Sequence, residues 1–161
     1  MKPTPGQARS HHDHLADTGP AEDHGRVVTT NRRAAAFYRQ AQRARDARQA
    51  TTALRLAVNA DPAFGLAIAD LGAVTATASK DPSRPQMSWE RHHIEVVRTA
   101  ATGKAQRAAD LLREHLATVG CDPLAVRIAA QLRPPDGQDD DFEDLVRRLP
   151  GCHATLWPSS A

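Results

Sequence analysis

The chain has 161 residues, 40% hydrophobic but only 4% aromatic, so it has the length of one domain and too few large rings to build a core around them. Its formal charge is +2, from 21 Lys and Arg against 19 Asp and Glu, too small to mark a dedicated nucleic-acid binder. No run of about 18 apolar residues occurs, which argues against a membrane helix, and the N-terminus lacks the apolar core of a secretion signal.

Alanine is abundant, and alanine-rich helices pack closely through small side chains. That favours stacked hairpins over a pocketed globule. The charge is uneven: residues 31–60 carry seven Arg against Asp46, and residues 132–161 carry three Arg against six acids. The two regions can attract each other or recruit different partners. Cys121 and Cys152 are widely spaced without a CxxC, so the expectation is two free thiols in a reducing, cytoplasmic compartment.

Residues 1–30 hold Pro3, Pro5, Gly6, Gly19, Pro20 and Gly25 among mixed charges and few apolar anchors. Such a composition does not repay the entropy of ordering, so the reading is a disordered arm whose His11, His12, His14 and His24 occur by chance. Thr29, Thr30 or Asn31 can cap a first helix, in which Ala34, Phe37, Tyr38, Ala41 and Ala44 fall on one side and Arg32, Arg39 and Arg43 on the other. A second helix over 49–59 repeats the pattern with Ala50, Leu54 and Ala57. Asp61-Pro62 separates it from a third, 62–79, which is the most apolar, with one central acid, Asp70. Gly72 costs about 1 kcal/mol relative to Ala in mid-helix, so a neighbouring helix should approach it closely.

Residues 80–85 break the helix. Ser88 is placed to cap a helix over 89–102, a turn at Gly103 leads into a helix over 105–118 with Ala108, Leu111, Leu112 and Leu116 buried, and Gly120 ends it. Asp122-Pro123 opens a short helix over 124–132. After the loop 133–139, a last helix over 140–149 has acids in its first turn and Arg147 and Arg148 in its last. The tail, 150–161, shows no clear structure. The organisation expected is thus a disordered arm (1–30), a helical domain (31–132) and an acidic loop with a short helix and irregular tail (133–161).

Phe37 recurs as Leu71 after 34 residues, close to a known solenoid period of about 34. Residues 32–72, with Ala50, Leu54, Ala57, Asp61-Pro62 and Leu71-Gly72, resemble the tetratricopeptide repeat. Tyr38 departs from it, standing where that family prefers a small residue. The run from Trp89 through Glu90, His92, His93 and Glu95 to Val97, then Gly103, Ala108, Leu111-Leu112, Glu114-His115-Leu116 and Asp122-Pro123-Leu124-Ala125, resembles the tetratricopeptide repeat protein 38-like family. The resemblance implies an all-α fold, a short α-solenoid of stacked antiparallel helical hairpins, with no catalytic motif to carry over and no cofactor. It implies a non-catalytic module that holds a protein or peptide in a concave groove. Arg32, Ala35, Arg39 and Gln42 of the first hairpin, Ala69, Ala73 and Ala76 of the third helix, and Glu90, His93 and Val97 of the fourth would line that groove. Arginine at its rim would suit an acidic peptide or a C-terminus. A stack ending without a polar cap would also invite self-association.

Other chemistries are weaker. Ser88 and Cys121 lack a nucleophile elbow or triad order, so no enzyme is expected. The arginines of residues 31–60 could neutralise phosphates, but base-stacking aromatics are scarce. His92 and His93 point about 100° apart on a helix and no HExxH is present, so no metal site is expected. His93 and His115 could meet across their hairpin as part of a metal-responsive domain; the plainer reading is one packed and one exposed histidine.

Overall fold

The structure, a computed structural model, describes residues 21–23, 26–84, 86–133, 147–148 and 156–158. It is all-α apart from one short hairpin, β1 (Ala21–Asp23) paired antiparallel with β2 (Arg26–Val28). Six helices follow among the described residues: α1 (Arg32–Gln42), α2 (Ala47–Ala60), α3 (Gly65–Val74), α4 (Ser88–Ala101), α5 (Ala105–Val119) and α6 (Pro123–Gln131). None is long and apolar enough to cross a membrane.

The caps explain where most of these helices begin. Asn31 accepts from the Ala34 amide at 2.8 Å, and Asp46 accepts from the Gln49 amide at the same distance. Asn31 also donates to the Ala60 carbonyl at 3.0 Å, tying the start of α1 to the end of α2. Between these two helices Ala34, Ala41, Ala50 and Ala57 are fully buried. With such small side chains the contact is backbone-close, as the composition requires.

Several expected boundaries move, and three of the shifts have a local reason. Pro62 lies in a turn stabilised by Asp61, whose side chain accepts from the Ala63 amide, so α3 begins only at Gly65. It stops at Val74, because Ala76 takes a left-handed φ of 53° and the Thr77 amide turns back to the Gly72 carbonyl. The close approach at Gly72 therefore comes from the chain's own return, not from a neighbouring helix: a Cβ there would lie 2.8 Å from Ser79 Cβ. In α4 Ser88 is the first helical residue and Met87 the cap, because the Glu90 carboxylate accepts the Met87 amide at 2.7 Å. Gly120, at φ 82°, ends α5 as expected. Of the expected last helix only Arg147 and Arg148 are described, and both are helical.

From α1 to α5, each helix packs against the next, and α3 pairs directly with α4. α6 breaks this order by returning onto α3, α4, α5 and the edge of α1. Its Leu124 and Ile128 join an apolar cluster built by α1–α4, while Ala125, Val126 and Ala129 join a second one with α4 and α5. Arg127 reaches back to donate to the Gln42 carbonyl at the end of α1.

The disordered-arm expectation is corrected for residues 21–23 and 26–30; the rest of 1–30 lies outside the described residues. Ala21 and Val28 are buried, and Arg26 donates to the Val119 carbonyl at the end of α5 and to the Cys121 carbonyl just beyond it while lying over the Trp89 ring. Two apolar side chains and one well-placed cation hold the hairpin, too little to register in a composition. The tail is anchored as well: Trp157 is buried against the first cluster and its indole N–H donates to the Ala44 carbonyl at 3.1 Å. Cys121 is disulfide-bonded, which corrects the expectation of free thiols. Cys152, the other cysteine of the sequence, lies outside the described residues.

Candidate functional site

Polar side chains meet at the centre, one from each of five elements: Tyr38 of α1, Asp70 of α3, His93 of α4, His115 of α5 and Asp122 at the cap of α6. All five are buried. A buried acid or imidazole is tolerated only when hydrogen-bonded, and the sequence places each within reach of another. Asp122 Oδ1 accepts the Ala125 amide as the cap of α6, which leaves Oδ2 facing two rings: His93 Nδ1 at 2.7 Å and His115 Nε2 at 2.9 Å. On the other edge of His93, Nε2 lies 2.7 Å from Asp70 Oδ1, and the Tyr38 hydroxyl donates to Asp70 Oδ2 at 2.7 Å.

These contacts fix the protons. Ionised carboxylates only accept, so His93 donates from both nitrogens and is an imidazolium clamped between two acids. Burial opposes that charge, but Asp122 and Asp70 outweigh it and hold the His93 pKa well above its ordinary value. Burial would raise Asp122; the adjacent His93 charge and the hydrogen bonds from both rings instead hold it well below the usual carboxylate range. His115 donates through Nε2 and is lowered by its burial, so it stays neutral. Its Nδ1 is buried without a hydrogen-bond partner. The three protons that these ring–carboxylate contacts require leave the two acids and two imidazoles with one net negative charge inside the protein.

Two further buried carboxylates join segments. Glu90 accepts from the Thr29 amide at 2.7 Å and the Thr29 hydroxyl at 2.6 Å, in addition to Met87, and so fastens the hairpin to α4. Asp61 receives the Thr30 hydroxyl and pairs with Arg84 at 2.9 Å. Burial alone would raise Asp61, but these two partners and the Ala63 amide bring it below its usual value.

Two cavities flank Arg98 on the surface. One, about 510 Å³, is bordered by Pro82, Arg84, Gln86, Arg91, Ile94, Glu95, Arg98 and Thr99. The other, about 420 Å³, lies between the ends of α3 and α4, floored by Ala69, Gly72, Ala73 and Ala76 and reaching Ala101 and Thr102. Arg98 itself holds the 79–81 segment through Ser79, the Lys80 carbonyl and Asp81.

The residues nominated for a groove therefore separate. Arg32 is exposed and Arg39 half-buried on α1, whereas Ala35, Gln42, Glu90, His93 and Val97 are buried. The helix face they share is covered by the hairpin and by α6 of the same chain. Ala69 and Ala73 do border a cavity, with Ala76, although they are themselves almost wholly buried. His93 and His115 approach each other, ring centroids 5.9 Å apart, but both are packed; the partly exposed histidine is His92.

Tyr38, Asp70 and Asp122 are the site residues that reading the sequence left out. For Asp70 the available signal was a lone acid in an otherwise apolar helix, which burial obliges to find a donor. Tyr38, the departure from the repeat pattern, supplies one.

Comparison of the chain with protein-family models, with curated proteins and with solved structures found no match.

Proposed function

We propose that this chain is a non-catalytic, tetratricopeptide-like interaction module that holds an extended peptide bearing carboxylates along the outer side of α3 and α4. The observation that carries this reading is the pair of cavities meeting at Arg98. Together they border α4 from its preceding loop to Thr102, a length of about 20 Å at 1.5 Å per residue. Ile94, Pro82 and the alanines of α3 offer apolar contact, while Arg84, Arg91 and Arg98 place three guanidinium groups beside it. That combination suits an acidic segment or a C-terminal carboxylate. Ala69, Ala73 and Ala76 of the groove first expected are kept, whereas on α4 the surface shifts from the buried Glu90, His93 and Val97 to Arg91, Glu95 and Arg98.

A cytoplasmic setting loses part of its support with Cys121 in a disulfide, because such bonds persist mainly in oxidising compartments.

Fluorescence anisotropy with a panel of acidic, neutral and C-terminally amidated peptides tests the reading. Acidic peptides with a free C-terminus should bind, more weakly as salt rises. Arg91→Glu, at an exposed residue that donates to the Gln86 carbonyl, should weaken that binding at least tenfold while helicity is kept. Absence of binding across the panel, or unchanged binding by the variant, removes this assignment.

A further inference from the structure

We infer that His93 Nδ1, His115 Nε2 and Asp122 Oδ2 form a binding site for one divalent transition-metal ion, with Zn²⁺ the best fit. The inference is independent of the peptide groove. The three donor groups come from α4, α5 and the cap of α6, and their ligand atoms lie within 4.8 Å of one another. They are buried, so an ion held there would join three segments that are otherwise linked by hydrogen bonds to one carboxylate oxygen.

Donor chemistry selects the ion. Two imidazole nitrogens and a carboxylate oxygen, with no thiolate among them, suit Zn²⁺, and three protein donors leave a fourth position for water. The surroundings of His93 match what a ligating histidine needs. Its other nitrogen donates to Asp70 at 2.7 Å, and Asp70 is held in turn by the Tyr38 hydroxyl. This carboxylate–imidazole arrangement fixes the tautomer that leaves Nδ1 free to ligate, and it raises the basicity of the ring.

Charge and proton balance point the same way. The three ring–carboxylate hydrogen bonds require three protons, which leaves the buried group with one negative charge. Binding of M²⁺ displaces the Nδ1 proton of His93 to solvent and moves the Nε2 proton of His115 to its Nδ1, the ring nitrogen that now has no partner. One proton leaves and two positive charges arrive, so the group becomes neutral. A buried cluster gains from that neutrality, since an uncompensated charge in low dielectric is costly. Beside the site, the partly exposed His92 ring stands 5.4 Å from that of His115, and its Nε2 is 3.9 Å from the exposed Glu114 carboxylate.

The test uses the full chain, stripped of metal by chelation, with His11, His12, His14, His24 and His153 replaced by Gln so that only His92, His93 and His115 remain. Isothermal titration with Zn²⁺ near neutral pH should give one equivalent, with one proton released per ion when the titration is repeated in buffers of different ionisation enthalpy. The thermal midpoint should rise on adding the ion. His115→Gln should abolish binding, Asp70→Asn should weaken it about 10- to 100-fold, and His92→Gln should leave a stoichiometric site. Should His115→Gln fail to fold, Co²⁺ added to the otherwise unaltered chain decides, because only an ion bound to the cluster gives the intense visible bands of four-coordinate Co²⁺. No heat at micromolar protein with no midpoint shift, binding unaffected by His115→Gln, or only the weak spectrum of hexaaqua Co²⁺ would overturn the inference.

Discussion

At the scale of single residues, the centre of this protein is governed by which groups keep their protons. In the metal-free chain His93 is held above its ordinary value of 6.5, because Asp122 and Asp70 more than offset burial. The folded state then retains a proton that the unfolded chain gives up near 6.5, so this contribution to stability is complete below that pH and is lost as pH rises through the folded value. His115 has the opposite sign. Burial lowers it, the unfolded chain takes up a proton that the folded one refuses, and stability falls as pH drops below 6.5. Asp122, held well below 3.8 in the folded state, adds a further loss as pH falls below 3.8. Urea midpoints measured in chelator should therefore peak near pH 6.5, and His115→Gln should flatten the limb immediately below the peak while leaving the alkaline limb in place. A profile that only rises or only falls from pH 5 to 9 would contradict the proton assignment.

Individual elements show where local signals were sufficient and where they misled. Asn31, one of three cap candidates, Gly120 and Asp122-Pro123 act within one turn of their own position, and their roles were readable from residue type, whereas Asp46 caps α2 two residues before its expected start. Ser88 has the right chemistry for a cap, yet it yields to Met87 because Glu90 supplies the acceptor. Gly72 was read through helix propensity, which predicts that Ala would stabilise by about 1 kcal/mol. The return of residues 77–79 reverses that sign, since a Cβ would meet Ser79 Cβ at 2.8 Å and the Thr77 carbonyl at 3.0 Å. Gly72→Ala should lower stability by about 1–3 kcal/mol in urea denaturation; a gain would show that the 77–79 segment gives way easily. The β1–β2 hairpin was missed because its anchors, Glu90 and the Val119 and Cys121 carbonyls, are some 60 to 95 residues away.

For the molecule as a whole, the decisive event is that α6 turns back. A stack of hairpins leaves each repeat touching its neighbours alone; here one helix of 9 residues also reaches α1, bridges two apolar clusters and sets Asp122 between two histidines. Leu124→Ala should therefore cost about 2–5 kcal/mol, whereas Leu56→Ala, at a side chain 41% exposed on α2, should change stability by no more than about 0.5 kcal/mol. Equal effects at the two positions would show α6 to be loosely attached. The six helices over residues 32–131, several of the caps and the apolar faces of α1, α2 and α5 followed from sequence alone, because periodicity and capping act over a few residues. What covers those faces was decided by tertiary structure: return of α6, closure of the hairpin over Glu90, and convergence of Tyr38, Asp70, His93, His115 and Asp122. Those partners lie far apart in the chain, and helical periodicity specifies which side of a helix is buried without specifying what buries it.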